Sequence, residues 1–547
     1  MKILQKGLAK LTGSQVVNLT TLLLTALLIP AVALAEIQLN VSYNQTHQRI
    51  DGFGASDAWS IDAVINQWEL EGKQDRIEAL ADSLFSIERG IGLSAWRFNI
   101  GAGSAEQGEN SAIADPLRRA QLLMPKQGSE IDPSKQRGQI RFLSEAHERG
   151  VSNLVAFVNS PPHWLTKNGL THPGDGIEAG SSNLDMSQAD GFSTFLIAVL
   201  EYLRGARVGV PVNFISPVNE PTWDWQGQSQ ESNRYNNEEL ATVYKSLYAA
   251  LKKAGLEHDV EIDGAEVPEL RAALNDGYHS SFDGSIYNGG MNDTPHGIYK
   301  NYIDVLLGDP EMREVLGNKL SVHGYWSSAS SDRLGKLRDL FAQNLAEVSA
   351  GSKLWMSEFC ILGDSGDIRQ FAGPGFDVDD MDLALHTARV IHRDMTRLNA
   401  AAWFWWLAVT PYDYKDGLLK IDPSLEADTL RESKLMWALG NFSRFIRPGF
   451  YRLEMPGADD LTGVMASAYK DPDSSRLVIV VINAGETDEA LKVNIGGLAP
   501  GRQAGEFQAY LTNSANNLAC KQTASGSGQH VIPAKSIVTF VTDIQDQ

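Results

Sequence analysis

Apolar runs alternate with amphipathic segments along the chain between about residue 50 and residue 445. The runs are short and rich in aromatic and β-branched residues, which favours β-strands. The segments between them repeat apolar residues every three or four positions, which predicts helices, and several end at Gly or Asn, a common helix stop. The strand-like runs are GFGASDAW, SAWRFNI, NLVAFVN, VNFISPVN, VEIDGAE, LSVHGYW, LWMSEF and AAWFWW.

Eight strands that are each followed by a helix, within a few hundred residues, predict an α/β fold of the (β/α)8 TIM barrel type. We place this catalytic barrel at residues 50–447. A doubly wound open sheet is the alternative, but no G-x-G-x-x-G motif follows the first strand to support it.

The pattern changes after residue 447. Every Trp lies between Trp59 and Trp437, whereas residues 448–547 contain the β-rich stretches RLVIVVINAG, ALKVNIGGL, EFQAYLT and SIVTFVTD, separated by Gly, Pro, Asn and Ser. These stretches predict a small C-terminal β-sandwich domain. Residues 36–49, which include EIQLNVSYN, are also strand-like, and we expect them to join the same sandwich from the other end of the chain.

Residues 1–35 have the pattern of a secretory signal peptide. Lys2, Lys6 and Lys10 precede the apolar run LLLTALLIPAVALA, which closes on a small-x-small sequence. A retained membrane anchor is the alternative, but the run is short and contains Pro30. We therefore expect export to the periplasm or the cell exterior, and the sequence leaves the choice between these two open.

The acidic composition limits the partners. The formal net charge is −21, and without the three lysines of residues 1–35 it is −21 − 3 = −24. Such a charge repels polyanions, so we expect no nucleic-acid partner and no membrane association of the mature form, and a neutral substrate. The two cysteines, Cys360 and Cys520, leave a disulfide open, although they are far apart in sequence. The oligomeric state is equally open.

Polar residues that close the predicted strands are the candidates for chemistry, because the active site of a barrel lies at the C-terminal ends of its strands. Two are carboxylates, Glu220 on the fourth strand and Glu358 on the seventh, 358 − 220 = 138 residues apart. The other strand-end residues are Arg97, Asn159, Asn219, His323, Tyr325 and either Trp405 or Trp406.

A pair of facing carboxylates is what glycosidic cleavage requires. One carboxyl donates a proton to the leaving oxygen, and the other attacks or activates water, at separations of about 5 to 5.5 Å for retention and 6.5 to 9.5 Å for inversion. A structural ion pair at each strand end is the alternative interpretation. It is less favoured for both glutamates together, because Arg97 and Tyr325 lie on neighbouring strands as hydrogen-bond partners.

The same motifs carry a family resemblance. VNEP, SEF, HGY, the strand-two Arg97 and the strand-eight Trp together resemble the clan A retaining glycoside hydrolases, and GFGASDAW, WRFNIGAGS and NSPPHW resemble glycoside hydrolase family 30. The resemblance implies a barrel joined to a β-sandwich, with Glu220 as the general acid/base and Glu358 as the nucleophile. Through WRFNIGAGS and the segment after it, the chain most resembles the endo-β-1,6-galactanase branch.

The neighbours of the two glutamates support this division of roles. Pro221, Trp223 and Trp225 would desolvate Glu220 and raise its pKa, whereas hydrogen bonds would keep Glu358 ionised. Asn219 is placed to bind the sugar 2-hydroxyl. Trp96, Trp355, Trp403 and Trp437 are predicted to pack in the core. The residues predicted to bind substrate are Asp57, Trp59, Arg97, Asn159, Trp164, Asn219, Trp223, Trp225, His323, Tyr325, Trp326, Trp405 and Trp406.

Other chemistries lack their motifs. The chain contains no H-E-x-x-H, no Cys/His cluster and no G-x-S-x-G, so we expect neither a metal nor a cofactor, and no serine nucleophile. We predict a retaining β-glycoside hydrolase acting on a neutral plant- or algal-type polysaccharide, with β-1,6-galactan as the first choice. The alternatives are a xylanase, a β-1,6-glucanase, an exo-acting β-fucosidase, β-xylosidase or β-glucosidase, and a non-catalytic carbohydrate-binding barrel. Endo or exo action stays open.

Overall fold

The computed structural model describes residues 36–174, 176–225, 229–285, 290–291, 293–522 and 529–547, and the predicted signal peptide lies outside them. The described chain begins with strand β1 (Ile37–Arg49) and then enters a parallel sheet. The strands of that sheet are β2 (Gly52–Ser56), β3 (Ala95–Ile100), β4 (Asn153–Val158), β5 (Phe214–Ser216), β6 (Glu261–Ile262), β7 (Ala265–Val267), β8 (Lys319–His323), β9 (Lys353–Phe359) and β10 (Ala402–Thr410).

The parallel sheet closes on itself. Its strand order is β6-β5-β4-β3-β2-β10-β9-β8-β7, and only residues 263 and 264 separate β6 from β7. These two strands are therefore halves of one interrupted strand, which pairs with β5 at its start and with β8 at its end. The result is an eight-stranded barrel, so the predicted fold class is confirmed, and each of the eight predicted apolar runs overlaps one of its strands.

Burial on both faces explains why these continuous apolar runs form parallel strands. All six residues of β3 and all nine of β10 are buried, as expected for parallel strands whose outer faces are covered by helices. The helices are α1 (Ser60–Leu70), α2 (Gln74–Phe85), α3 (Ser104–Gln107), α4 (Arg137–Glu148), α5 (Ala189–Arg204), α6 (Asn237–Ala254), α7 (Leu270–Ala273), α8 (Asp276–Asp283), α9 (Pro310–Val315), α10 (Arg338–Val348), α11 (Met381–Thr396) and α12 (Lys434–Ser443).

A second sheet forms the sandwich. β1 lies in it, antiparallel to β13 and parallel to β16, so both ends of the described chain contribute strands. Backbone hydrogen bonds between Ile50 and Phe450 (2.7 Å) and between Gly449 and Ile50 (2.8 Å) join the entry and the exit of the barrel. After β11 (Gly417–Lys420) and β12 (Arg431–Glu432), which extend the barrel sheet, the sandwich strands are β13 (Tyr451–Glu454), β14 (Val464–Lys470), β15 (Arg476–Asn483), β16 (Glu489–Gly496), β17 (Arg502–Ala504), β18 (Gln508–Asn513), β19 (Asn516–Gln522), β20 (Gln529–Ile532) and β21 (Ser536–Asp546).

The sandwich and the barrel share a buried junction. Helix α12 lies against β18, β19 and β21, and its Lys434 Nζ donates to the Asn513 carbonyl and to Asn517 Oδ1, both at 2.7 Å. Asn441 on the same helix donates to Thr512 Oγ1 at 2.7 Å. Apolar sandwich side chains join the core of the barrel, among them Met465, Tyr469, Val480 and Ile537. The sandwich is therefore packed against the barrel through apolar and polar contacts alike.

Three further expectations concern residues away from the strand ends. Cys360 is buried, Cys520 is exposed, and neither is in a disulfide. The packing role of Trp96, Trp355 and Trp403 is confirmed, because each of their side chains is almost fully buried. Within the described part of the chain, no helix has both the length and the apolar character that crossing a bilayer requires.

Candidate active site

Glu220 and Glu358 meet at the C-terminal end of the barrel. Glu358 is the penultimate residue of β9, and Glu220 follows the end of β5 by four residues. A carboxylate oxygen of Glu220, a carboxylate oxygen of Glu358 and a ring nitrogen of His323 all lie within 4.8 Å of one another. This spacing fits the separation of about 5 to 5.5 Å in retaining glycosidases and is shorter than the separation in inverting ones.

Two strong donors hold the carboxylate of Glu358. The Tyr325 hydroxyl donates to its Oε1 at 2.6 Å, and the Arg97 guanidinium donates to its Oε2 at 2.7 Å. All three side chains are buried, and Arg97 also lies over the Phe157 ring, 4.2 Å from its centroid. Hydrogen bonds from a charged donor and from a phenol stabilise a negative charge, so Glu358 is placed and charged as a nucleophile requires.

Glu220 has a different environment. Burial raises the pKa of its carboxyl, the hydrogen bond from His323 opposes that shift, and the negative charges of Glu358 and Glu266 reinforce it. Its backbone is left-handed, with φ of +47°, a conformation that residues with a Cβ rarely adopt outside turns and functional sites. The Trp225 indole donates to the Glu220 carbonyl at 3.3 Å and helps to hold this conformation. A carboxyl that retains its proton in this way is suited to general acid catalysis.

The sequence analysis missed Glu266, the last polar residue of the run VEIDGAE. It is fully buried, and its Oε2 contacts His323 Nε2 at 2.7 Å, Ser357 Oγ at 2.9 Å and an Arg97 nitrogen at 3.3 Å. Burial disfavours its ionisation, but Arg97 and His323 outweigh that effect and lower the pKa of Glu266 to about 2. The signal was available, because the strand-end criterion that selected Glu220 and Glu358 also selects Glu266.

His323 is held between these carboxylates. Burial lowers its pKa, but the charge of Glu358 and the hydrogen bonds with Glu220 and Glu266 outweigh burial and raise that pKa to about 10. The imidazole is therefore an imidazolium at neutral pH, and both of its nitrogens are donors.

A cavity of about 260 Å³ lies at Glu220 and Glu358, and aromatic side chains form its walls. The rings of Trp223 and Trp326 stack with centroids 5.2 Å apart and an interplanar angle of 26°. The Trp326 indole is fixed by hydrogen bonds to both carboxylate oxygens of Asp364, at 2.9 and 2.8 Å. The lining residues are Asn219, Glu220, Trp223, Trp225, Gln230, Tyr325, Trp326, Glu358, Leu362, Asp364 and Trp406.

Comparison with known proteins agrees with this geometry. The profile described as O-Glycosyl hydrolase family 30 matches residues 36–420. The chain belongs to this family. The profile of the family 30 β-sandwich domain matches residues 451–540. The family resemblance expected from the motifs is thus confirmed, whereas the galactanase branch stays a prediction.

Three individual relatives of this family 30 chain have sequence identities below 30%. Glucuronoxylanase XynC of Bacillus subtilis (strain 168) is 29% identical over 255 residues, which cover 45% of this chain and 50% of that enzyme. The chain thus spans about half the length of this curated relative. A crystal structure of a conserved exported protein from Bacteroides fragilis is 26% identical, with a TM-score of 0.77, and the match covers 92% of this chain and 99% of that one. The catalytic domain of xylanase C from Talaromyces cellulolyticus, at 20% identity, TM-score 0.64 and coverage of 92% and 99%, shares the fold.

Three other residues that were predicted to bind substrate have buried polar atoms without a hydrogen-bond partner in the described part of the chain. Trp59 lies edge-on to Trp406, with ring centroids 5.4 Å apart. Its indole nitrogen, Asn219 Oδ1 and both amide atoms of Asn159 are buried and have no hydrogen-bond partner among the described residues. Buried polar atoms are usually paired, and of these three residues Asn219 lines the cavity, which places its Oδ1 beside the space that a sugar would occupy.

Three predicted substrate contacts lie elsewhere. Asp57 is fully buried, and its Oδ1 accepts from the Asn99 amide at 2.8 Å and from Gln139 Nε2 at 2.9 Å. Trp405 is fully buried and donates to the Asp416 carbonyl at 2.6 Å, so that of the two strand-eight candidates only Trp406 lines the cavity. Trp164 is half-buried and donates to the Met124 carbonyl at 3.3 Å. None of the three is among the residues that line the cavity.

The spacing of Glu220, His323 and Glu358 would also admit a metal ion, alone among the His, Cys, Asp and Glu clusters of the described residues. Their polar atoms have other partners, however. Arg97 is 2.7 Å from Glu358, and its fixed positive charge occupies the position beside that carboxylate where a cation would be stabilised. The arrangement therefore favours acid/base and nucleophilic chemistry over metal binding.

Proposed function

We propose that this family 30 chain is a retaining β-glycoside hydrolase in which Glu358 is the nucleophile and Glu220 is the general acid/base. The observation that carries the proposal is that a carboxylate oxygen of Glu220 and one of Glu358 lie within 4.8 Å of each other. Their environments differ, since Arg97 and Tyr325 hold Glu358, whereas Glu220 is desolvated among apolar and acidic neighbours. Two carboxyl groups with such different surroundings can act as base and acid at the same pH.

In the first step, a Glu358 oxygen attacks the anomeric carbon while Glu220 gives its proton to the glycosidic oxygen. The bond from carbon to the leaving group breaks, and a glycosyl ester of Glu358 forms. In the second step, ionised Glu220 removes a proton from water, whose oxygen attacks the same carbon and releases Glu358 as a carboxylate. Two inversions at one carbon give net retention. Asn219, next to the acid, is placed to bind the 2-hydroxyl group.

The substrate we propose is a neutral polysaccharide. The acidic protein surface disfavours polyanions, and the stacked Trp223 and Trp326 offer flat apolar faces to the C–H faces of sugar rings. The motif WRFNIGAGS makes β-1,6-galactan our first choice. Xylan and β-1,6-glucan are the alternatives to test, together with short β-fucosides, β-xylosides and β-glucosides. We also propose export, on the basis of the pattern of residues 1–35.

A substrate panel with stereochemical analysis tests this proposal. The mature chain is incubated with galactan, xylan and β-1,6-glucan, and the anomeric configuration of the first product is followed by proton NMR. We expect the β-anomer to appear first and to mutarotate afterwards. An α-anomer as first product would contradict the nucleophilic role of Glu358, and binding of a glycan without any release of sugar would favour the non-catalytic barrel.

The acid is tested by Glu220→Gln, which keeps the shape of the side chain but removes the proton that titrates. We expect kcat/KM to fall by about 10² to 10⁴-fold for substrates with poor leaving groups, whereas kcat/KM for activated aryl glycosides, which need little protonation in the first step, falls much less. The alkaline limb of the pH–rate profile should disappear. Equal losses on both substrate types, with the alkaline limb retained, would show that Glu220 is not the acid.

A further inference from the structure

His323 contacts a carboxylate with each of its two ring nitrogens. Nδ1 is 3.1 Å from Glu220 Oε1, and Nε2 is 2.7 Å from Glu266 Oε2. A neutral imidazole has one N–H donor and one acceptor, so the ring must be doubly protonated whenever Glu220 and Glu266 are both ionised, as they are after Glu220 has given up its proton. The orientation of the His323 ring, whose Nδ1 contacts Glu220, therefore depends on the Glu266 carboxylate at its Nε2.

Glu266 cannot reach a substrate. It has no solvent-exposed surface and is not among the residues that line the cavity. Its Oε2 accepts from Ser357 Oγ at 2.9 Å and from Arg97 at 3.3 Å in addition to His323. Arg97 in turn donates to Glu358, so Glu266 is connected to both catalytic carboxyl groups, to one through a guanidinium and to the other through an imidazolium.

The charges of this cluster balance only when Glu266 is included. Arg97 and His323 contribute two positive charges, and Glu358 and Glu266 contribute two negative charges, so the cluster is neutral while Glu220 keeps its proton. Without the charge of Glu266 the cluster has an excess positive charge, which favours ionisation of Glu220. Four other titratable groups of the described chain face this cluster. Tyr325 hydrogen-bonds Glu358 and is 3.9 Å from Cys360 Sγ. Asp263 contacts Glu266 and is paired with Lys319 at 3.3 Å, and the charge of Glu266 contributes to the raised pKa of Tyr244.

We propose that Glu266 is a positioning residue for the reaction: through His323 it holds Glu220 in the orientation that proton donation requires, and its own negative charge favours the protonated form of Glu220. The inference rests on the proposed role of Glu220. Glu266 keeps the Nε2–H of His323 engaged in both steps, so the Nδ1–H stays directed at Glu220 after that carboxyl has given up its proton. The same oxygen of Glu220 is then aimed at the incoming water.

The test is Glu266→Gln, which retains an oxygen acceptor for the Nε2–H but removes the charge. We expect kcat/KM for substrates with poor leaving groups to fall by about 10-fold or more, a part of the 10² to 10⁴ that general acid catalysis supplies. The alkaline limb should move to lower pH, because loss of a nearby negative charge makes Glu220 a stronger acid. Activated aryl glycosides, which need little protonation, should keep most of their kcat/KM.

Glu145→Gln is the matched control. Glu145 on helix α4 is buried and paired with Arg141 of the same helix and with Arg149, which follows the helix, and it does not line the cavity. The substitution Glu145→Gln should leave kcat/KM on both substrate types and the pH profile unchanged. The proposal would be overturned if the alkaline limb of Glu266→Gln lay at the same pH as that of the control. It would also be overturned if kcat/KM fell equally on both substrate types.

Two further variants keep the outcome decisive. If Glu266→Gln does not fold, Glu266→Asp retains the charge at a shorter reach, and it should show the same selective loss on poor leaving groups, whereas an unselective loss would refute the proposal. Glu220→Gln is measured in parallel. If that variant loses its alkaline limb while Glu266→Gln keeps its limb at the position of the control, the acid assignment stands and the role of Glu266 is refuted.

Discussion

Removal of one hydroxyl group, by Tyr325→Phe, should separate the two chemical steps. The Tyr325 hydroxyl donates to Glu358 Oε1 at 2.6 Å, and its only other close contact among the described hydrogen bonds is Cys360 Sγ at 3.9 Å. The donor stabilises Glu358 most when it is a carboxylate, and less when it is the glycosyl ester. Its loss therefore makes Glu358 a poorer leaving group in the second step, whereas the carboxylate that attacks in the first step does not become a weaker nucleophile.

The magnitude follows from the geometry. A short hydrogen bond to a charged group contributes about 1.5 to 3 kcal/mol, and about 1.4 kcal/mol corresponds to a tenfold change in rate, so the second step should slow by roughly 10- to 150-fold. Arg97 still holds the other oxygen of Glu358 at 2.7 Å, which places the expected effect in the lower part of that range.

The assay uses an aryl β-glycoside with a good leaving group, for which hydrolysis of the glycosyl ester limits the rate. We expect kcat and KM to fall together while kcat/KM changes little, because the ester accumulates. Intact-protein mass spectrometry of the variant at steady state should show the mass of one added glycosyl group. Tyr469→Phe, which removes a buried hydroxyl from the sandwich, is the control and should behave as the wild type.

A fall in kcat/KM as large as the fall in kcat, with no glycosyl-enzyme detected, would refute this reasoning. It would show that the hydroxyl acts on the first step, or that Glu358 does not form the covalent intermediate.

Three other predictions follow from the described contacts. Glu358→Ala should abolish turnover, and azide should restore part of it with a product of inverted configuration; undiminished activity in a folded variant would exclude Glu358 as the nucleophile. Deletion of residues 448–547 should give insoluble protein, because it exposes the apolar junction, and a soluble, active truncation would contradict the role of that junction. Burial raises the pKa of Asp57 to about 8, so its contribution to stability is complete below about pH 4 and is lost as the pH rises to 8. Asp57→Asn should remove this loss, which is at most about 6 kcal/mol. A free energy of unfolding in urea that changes equally with pH for both proteins between pH 4 and pH 8 would contradict the prediction.

The barrel could be predicted from the sequence because its strands are buried on both faces and therefore appear as short, nearly continuous apolar runs. The interruption of the fifth strand could not be predicted, since VEIDGAE has the composition of one continuous run, and its division into β6 and β7 depends on pairing with β5 and β8. The participation of β1 in the second sheet was expected from its strand-like pattern alone, without any indication of its register.

Within the site, charge was easier to predict than side-chain direction. Trp405 was proposed beside Trp406 although neighbouring residues of a strand point to opposite sides. The alternation that assigns Trp403 to packing assigns Trp405 to the same side, where both rings lie near Phe359, with centroids 5.8 and 5.9 Å away. All nine residues of β10 are buried, so hydrophobicity alone could not reveal which side faces the cavity.

Asp57 shows the opposite difficulty. A polar residue just beyond a strand end was interpreted as a ligand contact, but helix α4 brings Gln139 close enough to bind it. Such a partner comes from a distant part of the chain, and one sequence gives no signal for it.

The position of β1 also bears on how the protein assembles. Ile37 pairs with Leu491, which is 491 − 37 = 454 positions later in the chain, so the second sheet cannot close until nearly all of the polypeptide is present. For an unstructured chain of that length, bringing the two segments together would have a large entropic cost and would be slow. A folded barrel removes most of that distance, because the hydrogen bonds of Ile50 with Gly449 and Phe450 hold its entry and exit side by side. The contact between β1 and the C-terminal strands is then effectively local, and we expect the barrel to fold first and to present both chain ends to the sheet that they complete.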